Sequence, residues 1–315
     1  MSYWKLIFLC SLLLFFNCKE NAISTIHLDD QLALIPEGIA VDPSTKDIYL
    51  SSLLKDIIVR YDSTGSYVSN VIKRNEKDYS TGVGLIIKNN MLWALGSVMN
   101  TEQSALFQID IKTNKIVNRY TINDTLPNYF NDLTIDKQSN IYITDTHFHR
   151  VYKFDINTKS IGVFLEHEQI KHPNGITISS DYSKLFVDSF THGIRIIDIK
   201  NKKILNATHE PSSNQGIDGL KYYKNTLYAV INGSRNRGEH RLVKYKLSKD
   251  ERQIFAEQPL ITNHALMDIP TTIDIVDNKL FLLANSQMEN YNDSLKSIID
   301  NNRITNTYII KHKLK

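Results

Sequence analysis

The sequence predicts an all-β fold, a six-bladed β-propeller, and three observations predict it. One strand-turn-strand phrase recurs six times along the 315 residues. Its copies stand 43 to 53 residues apart, the length of one four-stranded antiparallel blade. An alternating segment also precedes the first copy, where the last blade is short of a strand.

The copies begin "PEGIAVDPSTKDIYLSS" at Pro36, "STGVGLIIKNNMLWALGS" at Ser80, "FNDLTIDKQSNIYITDT" at Phe130, "PNGITISSDYSKLFVDS" at Pro173, "IDGLKYYKNTLYAVING" at Ile217 and "PTTIDIVDNKLFLLANS" at Pro270. In each, a polar residue is followed by Gly, Asp or Thr, then by a short strand, a polar turn and a second strand. That second strand carries an aliphatic-aromatic pair: Ile48-Tyr49, Leu92-Trp93, Ile141-Tyr142, Leu185-Phe186, Leu227-Tyr228 and Leu280-Phe281. At this spacing the aromatics are core packing. Segments between copies, such as "RVYKFDINTKSIGVFL" from Arg150, alternate about polar turns and supply the outer strands. No long helical period appears before about residue 290, where "YNDSLKSIIDNN" has room for one or two turns.

An open ring leaves an unpaired sheet edge. After "TTIDIV" and "KLFLLAN" only "TNTYIIKHKLK" reads as a further strand of the last blade, so "NAISTIHLDD", residues 21–30, is expected to complete it. Residues 21–315 then form one domain. The segment before it, "MSYWKLIFLCSLLLFFNCKE", has Lys5, an apolar run from Leu6 to Phe16 and then Cys18. That run is short for a bilayer span and has the length of a signal-peptide core. "LFFNC" resembles a bacterial lipobox, although Asn17 stands where a smaller residue is usual. Residues 1–18 are thus expected to be a lipoprotein signal with Cys18 as the lipidated residue. A plain cleaved signal and an uncleaved anchor are the other readings. The lipid-anchor reading puts the protein in a bacterial cell envelope, on the periplasmic or outer-surface face, bound to membrane through its lipid. No Cys follows Cys18, so the mature domain has no disulfide and no thiolate metal site.

The composition excludes one partner class. Formal charge is +3, with 37 basic and 34 acidic residues spread along the chain, and no basic stripe tracks phosphates. Nucleic acid is not an expected partner; a monomer acting on a small molecule is.

The first strand of a blade lines the channel of a propeller. The polar residues at its start, Glu37, Thr81, Asn131, Asn174, Asp218 and Thr271, are therefore expected to converge on one mouth. Two carboxylates and two amides, with no Cys or His, form an oxygen-donor set suited to Ca²⁺ or Mg²⁺, with Mn²⁺ or Zn²⁺ possible. Glu37 and Asp218 together would neutralise one divalent ion. The competing reading makes these residues turn-formers that satisfy loop backbone.

"PEGIAVD", "FNDLTID", "HPNGITIS" and "IDGL", in that order, resemble the senescence marker protein, gluconolactonase and strictosidine-synthase-like group of six-bladed propellers. The resemblance covers nearly the whole mature chain. It implies one catalytic divalent cation, Ca²⁺ before the others, held by the positions of Glu37, Asn174 and Asp218. It also implies an Asn131 that contacts metal or substrate, and hydrolysis of a lactone or related ester. Asp218 is then the first candidate to accept a proton from water and Asp132 the reserve. Thr81, Asp132 and Thr271 would line the substrate channel. The paraoxonase branch is more distant: Gly219 stands where that branch has Asn, and no His lies near Thr81.

Other features carry blander readings. His147 and His149 of "THFHR" would share a strand face and suit Zn²⁺, but no third ligand is apparent and the turn resembles a structural one of propeller blades. His172, His192, His209 and His264 have no readable placement. "NGSRNRGEHR", residues 232–241, reads as a solvated basic hairpin. Substrate choice would lie with loops, here "SVMNTEQS" and the stretch 285–304. A non-catalytic NHL-like propeller that binds a peptide, glycan or small ligand is the alternative function, because fold does not fix function.

Overall fold

Alternation of apolar and polar residues pairs each copy's strands into an antiparallel hairpin, and two outer strands extend it to a blade. A computed structural model describes residues 23–29, 31–99, 101–122, 127–206, 216–232 and 239–314. Cys18 and the apolar run before it lie outside the described residues, as do His209 and most of the 232–241 loop. The first blade is Pro36–Val41, Ile48–Ser52, Ile58–Tyr61 and Tyr67–Ile72, in that spatial order. Four more four-stranded sheets repeat this order, with innermost strands Tyr79–Lys88, Phe130–Ile135, Pro173–Ile178 and Ile217–Tyr223. The sixth blade runs Ile273–Val276, Lys279–Leu283, Tyr308–Lys313 and then Ile23–His27, so the N-terminal strand closes the ring. Its register is Ile23 opposite His312 through His27 opposite Tyr308.

The repeated aromatics join the blades. Tyr49 of blade 1 packs with Leu92, Ala94 and Phe107 of blade 2. Trp93 packs with Ile141, Tyr152 and Phe154 of blade 3, and Tyr142 with Ile176, Leu185 and Val187 of blade 4. Phe186 enters the blade 5 cluster, Tyr228 that of blade 6, and Phe281 returns to blade 1 beside Ile39, Ile48 and Leu50. Each ring removed from water stabilises the adjacent pair of blades by about 2–3 kcal/mol.

A second set of contacts links the blades nearer the axis. The Ser51 hydroxyl accepts from the Gly38 N–H and donates to the Val83 carbonyl at 2.7 Å. The Thr144 hydroxyl accepts from the Asp132 N–H and donates to the Asn174 carbonyl at 2.7 Å. The Thr271 hydroxyl donates to the Glu37 carbonyl at 3.0 Å. In each case the accepting carbonyl belongs to the inner strand of the next blade. The blades approach so closely that a Cβ on Gly175 would lie 2.8 Å from the Asp218 carbonyl oxygen, so no larger residue fits there.

The stretch 291–302 forms no α-helix. It holds a small hairpin, Tyr291–Asn292 with Ser297–Ile298, followed by a 3₁₀ turn at Asn301–Arg303. Its apolar spacing suits one helical turn, but the Asn290 side-chain amide pairs with the Asp300 backbone and holds the two arms together.

Candidate metal centre and active site

Four of the inner strands enter through the same β-bulge, which sets two residues against one on the neighbouring strand. The bulges lie between Pro36 and Ile39, Phe130 and Leu133, Pro173 and Ile176, and Ile217 and Leu220. A bulge re-aims a side chain. Here it exposes Glu37, Asn131, Asn174 and Asp218 to the axis, and all four line one small cavity with Gly38, Gly84, Asp132 and Thr272. The cavity holds about 10 Å³, which suits one water-sized particle.

Two expected members of the column stand elsewhere. In blade 2 the corresponding bulge lies between Gly82 and Leu85, so Val83 takes the position that Glu37 has in blade 1. The Ser51 bond to the Val83 carbonyl marks the same equivalence. Thr81 is therefore two residues out of register and does not line the cavity. It adopts φ 44°, with its N–H on Asp56 Oδ1 at 2.9 Å and its hydroxyl on Lys296 Nζ at 2.8 Å. The "TGVG" repeat hid this, since two Gly residues offered two alignments. In blade 6, Thr271 is wholly buried and spent on the Glu37 carbonyl, so the neighbouring Thr272 lines the cavity instead.

Each remaining donor is held in place. Asn131 Nδ2 donates to Thr146 Oγ1 at 3.1 Å, which leaves its Oδ1 for the cavity. Asp218 Oδ1 accepts from Asn174 Nδ2 at 2.9 Å, and its Oδ2 from Asn232 Nδ2 at 2.6 Å. Asn232 was not foreseen from the sequence. It follows the second strand of blade 5 as Thr146 follows that of blade 3, and this shared offset is the signal that marks both. Asp132 has both oxygens engaged: Oδ1 takes the Leu133 N–H at 2.8 Å, and Oδ2 takes the Ile176 N–H at 3.2 Å and lies 3.7 Å from Lys221 Nζ. Asp274 is similarly tied to the backbone N–H groups of Val41 and Ile275.

The charges divide accordingly. Lys221 answers Asp132, which leaves Glu37 and Asp218 to face each other. Glu37 is half-buried as a residue, yet its Oε2 is shielded from solvent and has no hydrogen-bond partner. Burial, then the Asp218 and Asp132 charges, push the Glu37 carboxyl well above its usual range. Burial also raises Asp218 to about 7, while the bonds from Asn174 and Asn232 oppose the rise. An orphaned acceptor beside a second buried carboxylate is a costly arrangement unless a cation joins it. Two carboxylates and the amide oxygens of Asn131 and Asn174, each amide nitrogen being spent on a neighbour, form an all-oxygen set that fits a divalent ion. No three His, Cys, Asp or Glu side chains among the described residues gather into a metal-holding group, so the amides are essential to such a site.

His147 and His149 lie in the turn between two strands rather than along one. The His147 ring packs on Tyr129 at 5.9 Å and that of His149 on His172 at 5.7 Å, so they do not converge.

No curated protein sequence matches the chain. Among solved structures, a gluconolactonase from Xanthomonas campestris aligns with TM-score 0.63 and 14% identity over 92% of this chain and 89% of its own. The calcium-binding protein regucalcin from Agrobacterium tumefaciens aligns with TM-score 0.62 and 14% identity over 93% and 96%. The PQQ-bound aldose sugar dehydrogenase from Streptomyces coelicolor scores 0.63 at 13% identity over 92% and 98%. At these identities the likeness is one of fold, shared by proteins of different chemistry. The sequence profile is more specific: residues 24–226 match the SMP-30/gluconolactonase/LRE-like region, and this span carries Glu37, Asn131, Asn174 and Asp218. By that match the chain belongs to the SMP-30/gluconolactonase/LRE-like family of six-bladed propellers.

Proposed function

We propose that the protein is a divalent-metal-dependent hydrolase of a lactone or related ester. The observation that carries this reading is the buried, unpartnered Oε2 of Glu37, set beside Asp218 in a cavity with room for one small particle. Glu37, Asn131, Asn174 and Asp218 would hold the ion, with Ca²⁺ the best match to a hard oxygen set. When bound it supplies Lewis acidity to the ester carbonyl and takes up the charge that develops on its oxygen.

The chain's own groups do the rest. Asp218 has each oxygen fixed by an amide, and each oxygen retains a lone pair. Once its carboxyl proton has been displaced by the cation, a free lone pair of Asp218 can take the proton of an attacking water. The water oxygen bonds to the carbonyl carbon, the ring C–O bond breaks, and the proton passes to the leaving oxygen, so a hydroxy acid results. Asn131, with its amide N–H on Thr146, fixes the direction of the oxygen it shows the cavity. Asp132 acts as fixed negative charge below the cavity, because both its oxygens are taken.

Proton release tests this reading. Glu37 and Asp218 are pushed up in the free site, so below about pH 7 an entering cation must displace protons. Calorimetry with Ca²⁺ at pH 6 in buffers of different ionisation heat is expected to show that release. Affinity is expected to weaken at least about tenfold from pH 8 to pH 5.5. Equal heats in all buffers, with no divalent ion in the purified domain, would leave the ring a binding scaffold.

We also propose that Cys18 anchors the protein in a bacterial cell envelope. Only residues 19–22 separate it from the closing strand at Ile23, a reach of about 14 Å. The ring would then stand against the membrane. Among the described residues no helix is long and apolar enough to cross one.

A further inference from the structure

In blades 1 to 4 the link from second to third strand is three to five residues long, whereas in blade 6 it occupies residues 284–307. Because inner strands run away from the metal cavity and second strands run back, this link emerges on the cavity's face of the ring. Its base is clasped by three buried amides. Asn285 accepts from the Tyr308 N–H at 2.7 Å and donates to the Asn306 carbonyl at 2.8 Å. Gln287 accepts from the Thr305 N–H at 2.8 Å and donates to its carbonyl at 3.1 Å. Asn290 does the same with Asp300, at 2.9 and 2.8 Å. Each amide copies a peptide group and pairs the two arms as a strand would.

The arms lead away from their own blade. Met288, Tyr291 and Ile298 pack on a cluster that contains Ile35 of blade 1, Val83 and Leu95 of blade 2, and Phe130 of blade 3. Tyr129, which leads into the third inner strand, belongs to the same cluster. At the hairpin tip, Lys296 Nζ donates to Ser80 Oγ at 3.2 Å and Thr81 Oγ1 at 2.8 Å. Those residues are held in turn by Asp56, which accepts from the Ser80 hydroxyl at 2.8 Å and the Thr81 N–H at 2.9 Å. A segment rooted in blade 6 is thus fastened to blade 2. Tyr291 Oη lies 3.4 Å from Asp293 Oδ1. Tyr291 shares a cluster with Tyr129 and so places Asp293 at the edge of the wall that this cluster forms.

We propose that residues 288–299 are a fixed strap across the Glu37 and Asn131 side of the channel mouth, with Lys296 as its latch and Tyr129, Tyr291 and Asp293 as specificity-determining residues that meet the part of the substrate remote from the reacting carbonyl. This rests on the hydrolase reading. The cavity takes only one small particle, so an organic substrate must sit above it, against this wall. Two phenols and a carboxylate accept hydrogen bonds from hydroxyls, and the Asp293 charge repels a negative substituent. Lys296 is spent on the latch. The wall therefore selects uncharged hydroxylated rings over the same rings bearing a phosphate or carboxylate.

Two variants of the mature protein test it, with a neutral six-membered hydroxylactone and its phosphorylated counterpart as probes. Asp293→Asn keeps the strap's shape and is expected to raise kcat/KM for the phosphorylated probe relative to the neutral one by about tenfold, with the Ca²⁺-dependent rise in Tm unchanged. Lys296→Met is expected to speed amide hydrogen exchange across 291–299 at least about tenfold and to raise KM for the neutral probe more than it lowers kcat. If the unaltered protein hydrolyses the neutral probe but both variants keep its selectivity, the specificity role is overturned while the hydrolase reading stands. If neither probe is cleaved, the hydrolase reading falls and the specificity role with it. Exchange over 291–299 that is already fast in the unaltered protein overturns the strap whatever the activity.

Discussion

Asp218→Asn is expected to invert the effect of calcium on this protein. With Ca²⁺ present, the unaltered domain should be the more stable of the two and the only one with substantial hydrolysis, by about 100-fold or more. With chelator at pH 8, the order should reverse. The carboxyl of Asp218 rises from an ordinary 3.8 to about 7 on folding, and that of Glu37 rises as well. Between these limits the folded chain holds protons that the unfolded chain has released, so the metal-free fold loses stability as pH climbs from about 4 through 7. That loss is on the order of a few kcal/mol, set by two buried carboxylates with no cation between them. The substituted side chain would carry no charge, and the Asn174 or Asn232 amide need only turn its oxygen toward the new NH₂ group to keep the pair bonded. A bound divalent ion removes the penalty in the unaltered protein by binding the folded state alone. Melting curves at pH 5 and pH 8, each with Ca²⁺ and with chelator, separate these effects. Asp136→Asn is the control: Asp136 is bonded to the N–H and side chain of Asn140 at the far end of its strand, so its loss should leave the Ca²⁺-dependent shift intact. A metal-free Asp218→Asn domain less stable than the unaltered one at pH 8 would contradict the account.

Much of this site could be read from the sequence because a propeller turns one-dimensional periodicity into a ring. The spacing of the repeats, the aromatic of the second strand and the polar residue at the inner-strand entrance each have one place in a blade, so six blades and the Glu37, Asn131, Asn174 and Asp218 positions follow from counting. Register failed where the repeat was internally ambiguous. "STGVGL" contains Gly82 and Gly84, and hydropathy gives either equal claim; the bulge and the Ser51 bond select Gly84, so blade 2 presents Val83 rather than Thr81. Thr271 was the right column position, yet hydrogen-bond demand from the Glu37 carbonyl turns it away and leaves Thr272 at the cavity. Asn232 is missed for another reason: its offset after the second strand repeats that of Thr146, but its hold on Asp218 is a side-chain bond that spacing does not show. The stretch 285–304 reads as a loop of substrate choice; its crossing to blade 2 rests on contacts between blades, about which repeat spacing carries no information.

Removal of the closing strand is expected to cost more than any point change at the site. Ile23–His27 makes five residue pairs with the strand Tyr308–Lys313, and Ile26 and Leu28, 4% and 2% exposed, sit in the cluster that joins Phe281, Leu283 and Ile309 of blade 6 to Leu34, Ile39 and Ile48 of blade 1. The segment also reaches the first blade's own turn, where the Asp29 N–H meets the Gly65 carbonyl at 3.2 Å. It therefore fastens the ring where the two ends of the chain meet. Loss of two buried aliphatic side chains amounts to about 4–6 kcal/mol. The ladder adds several hydrogen bonds at about 1 kcal/mol each. The sum is comparable with the whole stability of an ordinary domain, about 5–15 kcal/mol. A mature chain begun at Leu32 should thus unfold at a much lower denaturant concentration than one begun at Cys18. The exposed edge at Tyr308–Lys313 should also drive concentration-dependent association, since an unpaired strand templates another. Ile26→Asp, with the strand retained, should show the loss of packing with less association, because the backbone edge stays covered. A chain begun at Leu32 that unfolds at the same denaturant midpoint as the full mature domain, and stays monomeric, would mean that the ring is held shut by its interblade aromatics alone.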